Sequence, residues 1–248
     1  MDVSAYVLLS HERALRRRLD VTANNMANVS TTGFRREQPV FGELVRATDG
    51  QMTKEARPVS FVLDYGAVHD TRAGAFQSTG NPLDLTIDGP GYLSVSMPDG
   101  STQYTRAGNL KILENGQLAV AGGQPIRGEG GGPITIPPDQ QSGLAILSDG
   151  TVNGPGGALG RVAVTVFDDE GQVRPIGGNL LSGTGGRELA AEETRLRSGG
   201  LESSNVQPIV ETTQMVEILR SYQTSQRMSD SLGDMRRNAI GRLGRLGN

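Results

Sequence analysis

Three residue pairs, Asp99-Gly100, Asn115-Gly116 and Asp149-Gly150, limit this chain more than any other feature. They fall among short β-prone runs at 84–87, 92–95, 118–120, 134–136, 144–147 and 162–167. Asn-Gly and Asp-Gly between such runs favour hairpins, because a type I′ turn needs φ > 0 at both central residues. With Asp169-Glu170-Gly171 as a further turn signal, residues 74–199 read as an antiparallel all-β domain. The 35 glycines, concentrated in this middle portion, suit tight turns and argue against one large α/β core.

The ends follow another period. Leu8, Leu15, Leu19, Thr22 and Met26 recur about every 3.6 residues with Arg and Glu between them, which predicts an amphipathic helix with a narrow stripe. Gly33, after Ser30-Thr31-Thr32, is a stop signal. Towards the other end, Ser203, Ser204 and Asn205 are N-cap types, and Glu211 lies within the first two turns. No proline follows Pro208, so a helix of roughly 35 residues is permitted there. Met215, Ile218, Tyr222, Ser225, Ser229, Leu232, Ala239, Leu243 and Leu246 keep its stripe.

Long helices are marginal without a tertiary partner. The economical arrangement packs the two terminal helices as an antiparallel, coiled-coil-like pair. Its remaining apolar flanks would be covered by copies of the same chain or close relatives, and head-to-tail joining without ring closure builds a filament. The expected organisation is an N-terminal helix over 1–34, an extended connector over 35–73, the all-β domain over 74–199 and a C-terminal helix over 200–248. The connector is polar and mixed, with Pro58 and a candidate strand at 59–63.

Charge and composition exclude much else. A formal charge of −3 and a pI near 5.5 leave no footprint for nucleic acid. Arg13, Arg16, Arg17, Arg18, Arg35 and Arg36 are offset by Asp2, Glu12, Asp20 and Glu37, and read as solvated helix-face residues. Cysteine is absent, and the two histidines, His11 and His69, have no partners for a metal set. No stretch approaches the ~20 apolar residues of a membrane span, and Met1 to Leu9 lacks the pattern of a cleaved leader. The run Gly128–Gly132 lacks the Lys-[Ser/Thr] ending of a phosphate loop, and no nucleophile elbow is present. Asp84 with Asp88, or Asp168 with Asp169, could pair as glycosidase carboxylates. With 4% aromatics there is little to stack on sugar rings, and solvated turn acids are the simpler reading. No catalytic residue, cofactor or metal is therefore expected.

Three segments carry a resemblance. Residues 23–35, Ala-Asn-Asn-Met-Ala-Asn-Val-Ser-Thr-Thr-Gly-Phe-Arg, are similar to the ANNLANxxTTGF[KR] signature of the flagellar axial proteins, which make the rod and hook. Residues 80–92 with Tyr104-Thr105-Arg106-Ala107-Gly108 resemble the stretch that opens the β domain of that family. Leu201-Glu202-Ser203-Ser204-Asn205-Val206, with Arg220-Ser221-Tyr222-Gln223 downstream, resembles the start of its C-terminal helix. The run from Gly128 to Pro138 looks most like the proximal-rod members, with the distal-rod members a close second. The chain departs from the pattern at Met26, where Leu or Ile is common, at Thr212-Thr213, where an acidic pair is usual, and around Tyr222.

The resemblance implies a structural subunit of the proximal rod. It implies export by the flagellar type III apparatus without a cleaved leader, assembly in the periplasmic span with itself and other rod proteins, and transmission of motor torque. It implies neither nucleic-acid binding nor membrane insertion. The expected assembly residues are Leu8, Leu15, Leu19, Asn24, Asn25, Met26, Asn28, Met215, Ile218, Tyr222 and Leu232. Asn24, Asn25 and Asn28 read equally as local caps or as interface groups, and Tyr222 as helix-pair core or inter-subunit contact. The competing class is a periplasmic β-sandwich binding module or glycan hydrolase with incidental helical tails.

Overall fold

In the computed structural model of the chain, which describes residues 3–47 and 58–245, the Asp-Gly and Asn-Gly pairs do turn hairpins. They do so by a geometry other than type I′. Asp99, Asn115 and Asp149 keep negative φ, and only the following glycines lie in the left-handed region, at φ 82° for Gly100, 78° for Gly116 and 91° for Gly150. The N–H of Gly100 donates to the Met97 carbonyl at 2.9 Å, while Met97 N–H donates across to Ser101 O at 2.9 Å. Gly116 with Leu113, and Gly150 with Leu147, repeat this pattern. Each is a type I turn followed by a glycine bulge. The side chains of Asp99, Asn115 and Asp149 complete it by accepting the N–H of Ser101, Gln117 and Thr151 at 2.9, 3.0 and 2.9 Å. Asp169-Glu170-Gly171 instead forms a short 3-10 turn, and the strands on either side of it are not neighbours in the sheet.

These turns serve the larger of two compact units, made of residues 28–36 and 69–206. Its main sheet is antiparallel and six-stranded, in the order Arg174–Gly177, Leu180–Ser182, Thr102–Thr105, Tyr92–Ser96, Val164–Val166 and Arg187–Glu188. A three-stranded sheet (Gly157–Arg161, Thr151–Gly154, Ala145–Ile146) and three strand pairs complete it. A large apolar cluster fills the unit, with Val95, Leu118, Ile126, Ile136, Val152 and Val164 fully enclosed, and a smaller one gathers Tyr92, Phe167 and Val173. Ile134 and Ile136, expected on a strand, contribute buried side chains from a segment joined only by a bridge from Thr135 to Gln117. Each such side chain stabilises by about 1.5–3 kcal/mol, so this unit closes its own core.

The second unit comprises the described parts of Met1–Ala27, Glu37–Val68 and Gln207–Asn248. It holds helix α1 (Val3–Ala27), strands β1 (Glu37–Ala47) and β2 (Pro58–His69), and helix α2 (Pro208–Arg245). Helix α1 stops at Ala27, and a turn over 28–33 leads to Gly33 at φ 67°. A Cβ at Gly33 would lie 2.4 Å from the Arg106 carbonyl, so glycine is required there. Helix α2 runs for 38 residues from Pro208 at its first position. Asn205 is thus not its cap; the Gln207 carbonyl accepts the Glu211 N–H at 3.1 Å. Residues 35–73, expected as an extended connector with a strand at 59–63, carry both long strands, which pair as a two-stranded sheet. No helix among the described residues is long and apolar enough to cross a membrane.

Candidate assembly interface

The helix pair runs antiparallel. Near one end the Asn25 amide donates to the Glu211 carboxylate at 3.3 Å, and thirteen residues back along α1 the Ser225 hydroxyl donates to Glu12 at 3.4 Å. Buried or half-buried positions include 8, 12, 15, 19, 22 and 25–26 on α1 and 211, 215, 218, 222, 225 and 232 on α2, spaced mainly by four and three. This alternation of four and three is the heptad seam of a coiled coil. Of the expected residues, Leu15, Asn25 and Ile218 are buried, and Leu8, Leu19, Met26, Met215, Tyr222 and Leu232 are half-buried. Ser229 is exposed; nothing is described for the side chains of Ala239 and Leu243, and Leu246 lies outside the described residues. Asn24 is exposed on α1, and Asn28 belongs to the following turn, where its Oδ1 accepts the Thr31 hydroxyl at 3.1 Å. These two asparagines are not brought to the seam.

Much of the seam is polar. Thr22, Asn25, Glu211 and Ser225 are as deeply buried as Leu15, Val21 and Ile218. The Thr22 hydroxyl donates back to the Arg18 carbonyl at 2.9 Å. Asn25 is the busiest: its Nδ2 donates to the Glu37 carbonyl at 2.9 Å and its Oδ1 accepts the Glu37 N–H at 2.8 Å. Its side chain thereby reads one residue's backbone as a strand would, anchoring the start of β1 to α1. Such a seam specifies register well but gains little from apolar burial.

The larger unit contains a charge cluster that sequence reading missed. Arg35, read as a solvated helix-face residue, is 5% exposed and lies beyond the helix. Its Nη2 meets Glu202 Oε1 at 3.3 Å, while Arg106 Nη1 meets Glu202 Oε2 at 3.2 Å. The Gly74 N–H adds a third donor to the same carboxylate at 3.0 Å. Arg106 also donates to the carbonyls of Gly89 at 2.7 Å and Ile87 at 3.3 Å, and Arg35 donates to that of Thr71. Burial, and then the Arg35 charge, pull the Arg106 guanidinium below its ordinary pKa. Beneath it, 5.3 Å from the guanidinium, lies the Tyr92 ring; burial first, then Glu170, push that phenol up to about 12.

Asn205 completes the weave. It accepts the Arg36 N–H at 2.6 Å and donates to the Asp70 and Arg72 carbonyls at 3.1 and 2.8 Å. All three recognition motifs therefore converge on one buried site, through Arg35, Arg106 and Glu202. The available signal was Arg35 as the one charge of residues 23–35 and Glu202 as the one charge of residues 201–206; Arg106 shares its motif with Asp84 and Asp88.

Comparison with known proteins reaches the same segments. The family described as "Flagella basal body rod protein" matches residues 7–35, "Flagellar hook protein FlgE/F/G D1 domain" matches 86–154, and "Flagellar basal body rod FlgEFG protein C-terminal" matches 197–242. The chain is 34% identical to the flagellar basal-body rod protein FlgF of Caulobacter vibrioides, over 99% of this chain and 100% of that one. It is 34% identical to FlgG of Bacillus subtilis over 91% and 93% of the two chains, and 32% identical to FlgF of Salmonella typhimurium over 94% and 95%.

Proposed function

The chain belongs to the flagellar basal-body rod proteins, and from that premise we propose that it is a structural subunit of the bacterial flagellar rod, joined to its neighbours through the terminal helix pair. The observation that carries this reading is an unfinished helix unit: Ile209 is 83% exposed, and Val210, Val216, Leu219, Met228 and Met235 on the same helix are exposed too. Five hydrophobic side chains and one more on α2 facing solvent mark an interaction surface, not a monomer's finished exterior.

Within the rod, the proximal position is favoured. The Caulobacter FlgF and this chain match end to end, whereas the Bacillus FlgG reaches the same identity over less of both. A distal-rod role is the second reading, supported by that equal identity. The reading includes export through the flagellar type III apparatus, assembly in the periplasmic span, and torque carried by packed helices, with no chemistry catalysed. Leu8, Leu15, Leu19, Met26, Met215, Ile218, Tyr222 and Leu232 form the helix seam on which assembly depends, and Asn25 fixes its register.

Tyr222→Asp or Leu232→Asp, introduced separately in a strain lacking the native copy, tests this. The variants should be made and exported, keep a folded β unit, and fail to enter basal bodies. Normal swimming by either variant would mean that the seam is misassigned. Removal of residues 1–30 and 205–248 should abolish incorporation; a binding module or hydrolase would keep its activity.

A further inference from the structure

Helix α1 has two working faces. Leu8 and Leu15 point to the seam with α2, whereas Leu9 and Arg13 lie about 100–150° round the helix on the far side. There α1 and the β1–β2 ribbon leave an open groove of about 420 Å³, lined by Tyr6, Leu9, Arg13, Phe41, Leu63 and Asp64 among others. Its apolar walls are uncovered: Tyr6 is 51%, Leu9 45% and Leu63 37% exposed. The chain's own α2 is already held on the opposite face of α1, so it does not fill this groove.

We propose that the groove receives the first three turns of α2 from a second copy of this chain. That segment presents Ile209, Val210 and Val216, with Ile209 and Val216 one heptad apart on a single face. Next to Val216 stands Glu217, and Arg220 follows one turn on from Val216; both are exposed. The groove offers the opposite charges, Arg13 and Asp64, so the two surfaces match in apolar content and in sign. Asp64 already meets Arg17 at 3.4 Å, a half-exposed pair that a competing guanidinium can share. Groove and α2 patch are different surfaces of one molecule. A contact between them is heterologous, leaves one free groove and one free patch at the two ends, and propagates. This deepens the rod reading and rests on it, by naming which surface meets which.

The chain has no cysteine, so disulfides form only where thiols are introduced. Leu9→Cys and Val216→Cys are made as separate full-length variants and expressed together in cells lacking the native copy, and isolated basal bodies are oxidised. A 9–216 link between two copies is expected from the mixture and from neither variant alone. Adding Arg13→Glu to the groove variant should cut the link about tenfold, and Glu217→Arg on the other copy should restore it. If the subunits enter rods but no 9–216 link forms, or Leu9→Cys links only to a different rod protein, the groove assignment is overturned while the rod reading stands. If wild-type chains do not enter rods at all, the rod reading itself fails. Should either thiol variant assemble poorly, the charge exchange made without thiols decides: Arg13→Glu alone should reduce rod incorporation and Arg13→Glu with Glu217→Arg in one chain should restore it, whereas no restoration overturns the groove assignment.

Discussion

The two units spend their polar and apolar residues differently. In the β unit, Val95, Leu118, Ile126 and Ile136 are wholly enclosed, and buried charge is limited, among the described residues, to Asp84 and the cluster of Arg35, Arg106 and Glu202. In the helix unit, the fully buried aliphatics among the described residues are Leu15, Val21 and Ile218, alongside equally buried Thr22, Asn25, Glu211 and Ser225. Three such side chains contribute only about 1.5–3 kcal/mol each, little for helices of 25 and 38 residues to set against their ordering. One unit is complete as a monomer. The other awaits neighbours.

The largest expected effect separates the units outright. Ile218→Asp places an unpaired carboxylate in the seam at a cost of about 4 kcal/mol or more. Incorporation into rods should vanish while thermal unfolding of the β unit stays unchanged; a shift in that unfolding would show the units to be one cooperative body. Glu202→Ala is the converse. It leaves two guanidiniums buried without their carboxylate and should cost the β unit about 3–5 kcal/mol by urea unfolding. If its denaturation midpoint scarcely moves, the cluster is not what holds the three motifs together.

Smaller changes sharpen the contrast. Asn25→Ala removes the hydrogen bonds to the Glu37 backbone and should cost the helix unit roughly 1–3 kcal/mol, read as faster exchange of the Glu37 amide. Tyr92 supplies a pH signature for the β unit. Its folded pKa, about 12, exceeds the ordinary 10.0, so its contribution is fully present below pH 10.0 and is lost as pH rises through about 12. Absorbance titration should find one phenol ionising near the upper value, and Tyr92→Phe should remove that step. Arg17→Ala, breaking a half-exposed ion pair with Asp64, should change stability by less than about 1 kcal/mol.

Legibility in the sequence followed the same divide. The heptad positions Leu8, Leu15, Leu19, Met215, Ile218 and Tyr222 were readable because each helix buries one face. The turns were readable at Gly100, Gly116 and Gly150, although a type I turn with a glycine bulge replaced the type I′ geometry; the Asx hydrogen bonds favour αR at the residue before glycine. Strand β1 was missed, and β2 was read only over 59–63, because a two-stranded ribbon encloses no face: Val62, Leu63, Asp64 and Tyr65 are consecutively exposed, so no sustained period of two exists to detect. The Arg35–Glu202–Arg106 cluster was hidden by distance, with Arg35 and Glu202 separated by 167 positions. Glu211, placed by the sequence only within the first two turns of the C-terminal helix, is enclosed beside Asn25.

Amide hydrogen exchange on the purified chain and on assembled rods tests the difference between the units most directly. In the dilute monomer, α1 and α2 should exchange quickly while the strands at Tyr92–Ser96 and Val164–Val166 are protected; in rods, the helices should slow by orders of magnitude and the strands hardly change. Helices as protected as the strands in the dilute monomer would contradict the account, since nothing would then be left for neighbours to complete.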